Sequence, residues 1–163
     1  MKVLALLKIV KEGDDILRKK SKPVDTITDK IKTLIGDMKD TLIESGGVGL
    51  AAPQVGILRR IFIIDVGDEN GGHKIIEFIN PKIISEQGTQ DGIEGCLSIP
   101  GKYGNVIRPM TVTVTATNSD GKEFSYTGTE LFGRCLCHEY DHLDGILYID
   151  KAYEIFDSED VEE

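Results

Sequence analysis

LCHEYDHLDG, residues 136–145, decides how the chain is read. If this stretch is helical, His138 and His142 lie four apart, on one face and about one turn from each other. Two imidazole nitrogens can then converge on one cation. Glu139 points to the side of the pair, where its carboxylate can reach a water at a metal without ligating the ion. The chemistry requires this arrangement, because a metal acidifies the water and the carboxylate moves the proton. The pattern predicts a metal-chelating helix over residues 129–143, with Leu131, Cys135, His138 and His142 as its inward stripe. The competing reading is a helix with one core-facing and one surface histidine.

Upstream of that helix the period changes to two. MTVTVTAT (110–117) places Val112, Val114 and Ala116 on one face and threonines on the other, and NSDG turns it toward KEFSY (122–126) as a hairpin partner. RIFIIDV (60–66) and KIIEFI (74–79) are strands either side of a DENGG turn, and KIISE (82–86) is a third candidate. QDGIEGCLSIPGKYGN (90–105) reads as loop and bulge. Residues 26–45 predict the first helix, with Thr26 and Asp29 as a capping pair and Ile27, Ile31, Leu34, Met38 and Leu42 as a core stripe ended by SGG. The order predicts one α+β domain over residues 1–163, in which antiparallel strands pack around the C-terminal HExxH helix and an N-terminal helix precedes them. Residues 154–163 are expected to be a frayed acidic tail.

Composition narrows the function. A chain of 163 residues suffices for one domain with a core. The net charge of -9 argues against an extended nucleic-acid face, which would need a basic stripe. The odd count of three cysteines and the absence of a signal-peptide pattern predict a reducing cytoplasm without a disulfide framework. No stretch approaches the roughly 20 apolar residues of a membrane helix.

The third ligand determines the class. A third histidine six residues after His142 would extend the motif, but that position is Tyr148. A later Glu is confined to the acidic tail, where Glu162 is a poor candidate. His73 lies in a glycine-rich turn, and Asp141 is better suited to accept a hydrogen bond from a ligand histidine or to pair with an arginine. Cys135 and Cys137 point in different directions on the helix, the first as an apolar neighbour of the site and the second as a packed thiol. Cys96, in GIEGCLSIPG, has glycines and polar groups around it. A Cys–His–His shell with water in the fourth place is a known catalytic arrangement. A buried thiol and a nucleophile with a histidine base stand as its alternatives.

GGVGLAAPQVG (46–56) is not a phosphate loop, because it lacks both GK[ST] and G-x-G-x-x-G. Gly47 and Gly49 offer a low backbone wall along which a peptide can run. Gln54 is the polar side chain with reach, suited either to stabilising an oxyanion or to bridging loops.

GVGLAAPQ (47–54), EGCLS (94–98) and HEYDH (138–142), in that order, resemble the three signature motifs of peptide deformylases. DDILRKKSKPV (14–24), SIPGKYGNVIRP (98–109) and DHLDGILYID (141–150) extend the resemblance over essentially the whole chain. It implies a metal-dependent hydrolase that removes the N-formyl group from the initiator methionine of nascent polypeptides and releases formate. It further implies Cys96, His138 and His142 as ligands and Glu139 as general base and acid. The resemblance implies that Gln54 and the Leu97 N–H form the oxyanion site, that Gly47, Val48 and Gly49 hold the peptide, and that Val48, Glu94, Cys135 and His138 line the methionine pocket. The ion so implied is Fe(II), with Zn, Ni or Co able to occupy the site. The implied setting is the bacterial cytoplasm near the ribosome, as a monomer without nucleic-acid or membrane binding. Five positions depart from the common pattern, among them Gly133 in place of Ala and Gly13 in place of Pro. Cys137 stands where Gln usually precedes HE, Glu130 where Gly is usual, and Tyr103 where many members carry Arg beside the cleft.

Overall fold

The computed structural model describes residues 6–160. Helix α1 spans Asp29–Ser45, starting later than Thr26 because Thr28 is the cap: its Oγ1 accepts a hydrogen bond from the Ile31 N–H at 3.3 Å. Gly46, with φ 75°, ends the helix in the left-handed region. Ile35, Met38 and Leu42 are its fully buried residues, and they pack on Leu50, Ile61 and Ile63.

Eight strands follow in two antiparallel sheets. The larger contains β1 (Gly49–Ala51), β2 (Ile61–Asp65), β3 (Ile75–Gln87), β6 (Thr111–Thr117) and β7 (Glu123–Thr129), adjacent in that order. The smaller orders β4 (Gln90–Cys96), β5 (Ile99–Arg108) and β8 (Glu154–Asp157). KIIEFI and KIISE are one strand, β3, whose register against β6 slips between Ile79 and Lys82, where Asn80 takes φ 51° ahead of Pro81. The predicted β6–β7 hairpin is present, with Val114 opposite Tyr126.

Three expectations need correction. Leu131, read as part of the inward stripe of the C-terminal helix, is 55% exposed. The stretch read as loop is the β4–β5 hairpin, with Ile93 opposite Asn105 and Cys96 opposite Ile99. A register shift between Glu94 and Cys96 leaves Gly95 without a ladder partner and offsets Cys96 from the register that precedes it. The tail expected to fray from residue 154 instead pairs as β8 along the edge of β5, with Tyr103 opposite Phe156. Residues 161–163 lie outside the described residues.

Helix α2, Leu131–Leu143, carries HEYDH. Leu136 and Leu143 are fully buried against Phe62, Phe78, Val112 and Val114 of the larger sheet. Phe62 and Phe78 stack there with centroids 4.7 Å apart. Its other flank faces the smaller sheet through buried charged side chains. The helix therefore sits between the sheets and presents its histidines toward the β4–β5 turn.

Candidate metal centre

The residues of the three motifs converge. The ligand atoms of Cys96, His138 and His142 all lie within 4.8 Å of one another. Cys96 Sγ is 3.4 Å from His142 Nε2. Donors arranged tetrahedrally around one ion at ordinary metal–sulfur and metal–nitrogen lengths stand about 3.5 Å apart, so the donor set fits a divalent metal. His138 Nδ1 is 2.8 Å from Glu94 Oε1, which leaves Nε2 as its ligand atom.

The electrostatics favour a cation at this point. Burial disfavours a charged His138 ring, but Cys96 and Glu94 more than offset it and hold its pKa well above the ordinary value. Burial and the adjacent His138 charge push His142 well below its ordinary value. Burial would raise the Glu94 carboxyl, yet hydrogen bonds from Arg108 and His138 hold it far below the usual carboxylate range.

Glu94 anchors a buried charged network. Arg108 donates to both its oxygens, from Nε at 2.8 Å and from Nη2 at 2.9 Å, and Arg134 Nη1 donates at 2.7 Å. Arg108 Nη1 reaches Asp141 at 2.7 Å, and Lys151 Nζ closes the chain of charges on the same carboxylate. Asp141 thus takes the arginine-pairing role of its two candidate roles. Glu94 is among the residues lining the cleft, and its grip on His138 is a contact the sequence did not mark. Arg108 and Arg134 went unmarked, because nothing local separates a buried arginine on a strand or helix from an exposed one.

Glu139 is 4 % exposed and beside the ligand cluster, and its Oε1 has no hydrogen-bond partner among the described residues. Burial pushes its carboxyl up to about 7, against the opposing charge of His138. Gly49 explains how β1 comes so close. A Cβ on Gly49 would stand 2.7 Å from Glu139 Oε2 and 3.0 Å from Cys135 Sγ, so any side chain would displace the carboxylate. Gln54 is buried and fixed at both ends. Its Oε1 accepts from the Ala51 N–H at 2.9 Å, while Nε2 donates to Ser98 Oγ at 3.1 Å and lies 3.5 Å from Cys96 Sγ. It therefore does bridge the two glycine-rich segments, and in doing so aims its amide at the metal centre.

A cavity of about 570 Å³ opens onto these groups. Gly47, Val48, Gly49, Leu97, Cys135 and Glu139 are among its walls. His73 is elsewhere, paired with Asp65 on the β2–β3 turn, and is not part of the centre.

An α+β frame that holds a Cys–His–His centre and a buried carboxylate at the floor of a cleft defines a metal-dependent hydrolase. The polypeptide deformylase family profile matches residues 6–156. A peptide deformylase from Acetivibrio thermocellus is 50% identical over 159 residues, covering 98% of this chain and 91% of its own. Among solved structures, a peptide deformylase from Legionella pneumophila superposes with TM-score 0.85 at 45% identity, covering 90% of this chain and 86% of that one. A class I type b peptide deformylase from Acinetobacter baumannii with Met-Ala-Ser bound gives TM-score 0.82 at 31% identity, covering 93% and 99%. The chain belongs to the polypeptide deformylase family, and its activity is removal of the N-formyl group from initiator methionine.

Proposed function

We propose that the side chains gathered here divide the deformylation of nascent N-formyl-methionyl peptides among them as follows. Cys96, His138 and His142 hold one divalent ion, and the ion is Fe(II). A sulfur donor beside two imidazoles supports a borderline metal over Mg or Ca, and Zn, Ni or Co can take the same place. When bound, such an ion supplies Lewis acidity, polarising the formyl carbonyl and making the attacking water acidic.

Glu139 accepts the proton as that water adds to the formyl carbon, then returns it to the departing methionine nitrogen. A carboxyl poised near 7 suits both halves of that exchange. Gln54 Nε2 and the Leu97 N–H donate to the oxygen as it becomes negative. Gly47, Val48 and Gly49 present backbone to the extended peptide, in the manner of an added strand. Val48, Glu94, Cys135 and His138 enclose the methionine side chain. Met-Ala-Ser bound to the Acinetobacter relative is the product of such a reaction, which supports a peptide lying in the same cleft here. In this reading the protein works as a monomer close to the ribosome, and its bacterial relatives support a bacterial setting.

The single observation that carries these roles is the buried Glu139 carboxylate beside the Cys96–His138–His142 cluster, its Oε1 without a hydrogen-bond partner among the described residues. The test is Glu139→Gln prepared without oxygen. Metal content is expected to match the native protein, while formate release from formyl-Met-Ala-Ser falls by about 10²–10⁴-fold. Undiminished formate release would remove Glu139 as base.

A further inference from the structure

β8 does more than close the smaller sheet. It brings Phe156 opposite Tyr103, and the two rings lie 26° from parallel with centroids 6.4 Å apart. The other neighbour of the Tyr103 ring is Gly95, the residue before Cys96. A Cβ on Gly95 would stand 2.8 Å from Tyr103 Cε1 and 3.0 Å from Cδ1, so the ring fills the space a side chain there would take. Tyr103 is thereby fixed between the last strand and the metal-bearing one.

Its remaining surface stays open. Tyr103 is 37% exposed and lines the cleft, as do Ile93 at 54% and Leu131 at 55%. These three apolar side chains stand at the mouth of a cavity whose floor is the metal centre, and the large side chains Ile93 and Leu131 are among the most exposed hydrophobics described. The nearby cations do not offer an alternative identity for this wall. Lys102 is paired with Asp157, and Lys11 donates to the Leu97 carbonyl at 3.2 Å.

We propose that Tyr103, braced by Phe156 and Gly95, is a specificity-determining residue whose exposed ring selects nascent chains carrying an aromatic or large apolar residue directly downstream of formyl-methionine. The assignment rests on the deformylase reading of the site. A nascent chain leaving the cleft past Ile93, Leu131 and Tyr103 buries apolar surface there only if its own side chain is apolar. An added ring contact is worth about threefold to tenfold in selectivity.

The test compares kcat/KM for formyl-Met-Ser-Ser, formyl-Met-Phe-Ser and formyl-Met-Ser-Phe, using metal-loaded full-length protein. The native enzyme is expected to favour formyl-Met-Phe-Ser over formyl-Met-Ser-Ser by about threefold to tenfold, with formyl-Met-Ser-Phe close to the Ser peptide. That ratio is expected to collapse toward one in Tyr103→Gln and to persist in Tyr103→Phe. In Phe156→Ala, which leaves Tyr103 unbraced, it is expected to fall between these limits. Thermal melts of each variant separate selectivity from unfolding, and the Tyr103→Phe pair keeps the comparison informative if Tyr103→Gln folds poorly. A native ratio near one, or one unchanged in Tyr103→Gln, overturns the assignment while leaving deformylation intact. No formate from any of the three peptides overturns the deformylase reading itself.

Discussion

At the scale of single residues, the centre is a set of ligands made competent by what stands behind them. Cys96 was legible as a ligand candidate because glycines and polar residues surround it, which is unusual for a core thiol. Glu94 was legible only as a lining residue, since its bond to His138 spans a sequence separation of 44. The two should behave differently. Glu94→Gln keeps an acceptor for His138 Nδ1 but loses the charge that Arg108 and Arg134 grip, so metal affinity by chelator competition is expected to fall about 10–100-fold. Cys96→Ala removes a ligand outright and is expected to fall further. Equal affinity in Cys96→Ala and native protein would remove Cys96 from the shell.

At the scale of elements, the misread segments share a cause. β4 and β5 carry Gly92, Gly95, Gly101, Gly104 and Pro100, residues that normally punctuate strands, and their alternation is masked. Here Gly92, Gly95 and Gly104 make room for Arg134, the Tyr103 ring and Tyr148, so these three serve close packing within strands rather than ending them, while Gly101 takes φ 81°. β8 was missed because acidic residues flank it, while Ile155 and Phe156 supply too short an apolar signal. The start of α2 carries strain: Glu130 takes φ 55° and ψ −119° with no side-chain cap. Glu130→Gly is expected to stabilise by about 1–2 kcal/mol and to raise Tm by about 2–6 °C; an unchanged or lower Tm would show the strain is absent. α1 is tied to β3 by Lys39 and Glu77, and Glu77 also accepts from the Ser119 N–H at 2.9 Å. Burial would raise the Glu77 carboxyl, but Lys39 and Ser119 bring it below its ordinary value. A depressed native pKa adds stability above the unfolded value and loses it as pH falls through the native one. Glu77→Gln is therefore expected to cost about 1 kcal/mol at pH 7. The difference should narrow as pH falls below about 4. A gap that widens in acid would contradict the assignment.

At the scale of the whole molecule, two sheets from distant parts of the chain meet on one helix, and the metal centre is the place where they meet. β4 supplies Cys96, α2 supplies both histidines and Glu139, and the segment after β1 supplies Gln54. The sequence carried the helix, the three motifs and the α+β class, because each is a local pattern. It did not carry the division into two sheets or the Arg108–Glu94–Arg134 network, which exist only through long-range pairing. A bound ion cross-links the sheets through α2, so stripping the metal is expected to lower Tm and readdition to restore it. The most direct test of the account is a titration of metal-free protein with Fe(II) under anaerobic conditions, following bound ion and formate release from formyl-Met-Ala-Ser together. Formate production is expected to rise with bound ion and to break at one ion per chain. Formate release by the metal-free protein, or none at full occupancy, would contradict the account.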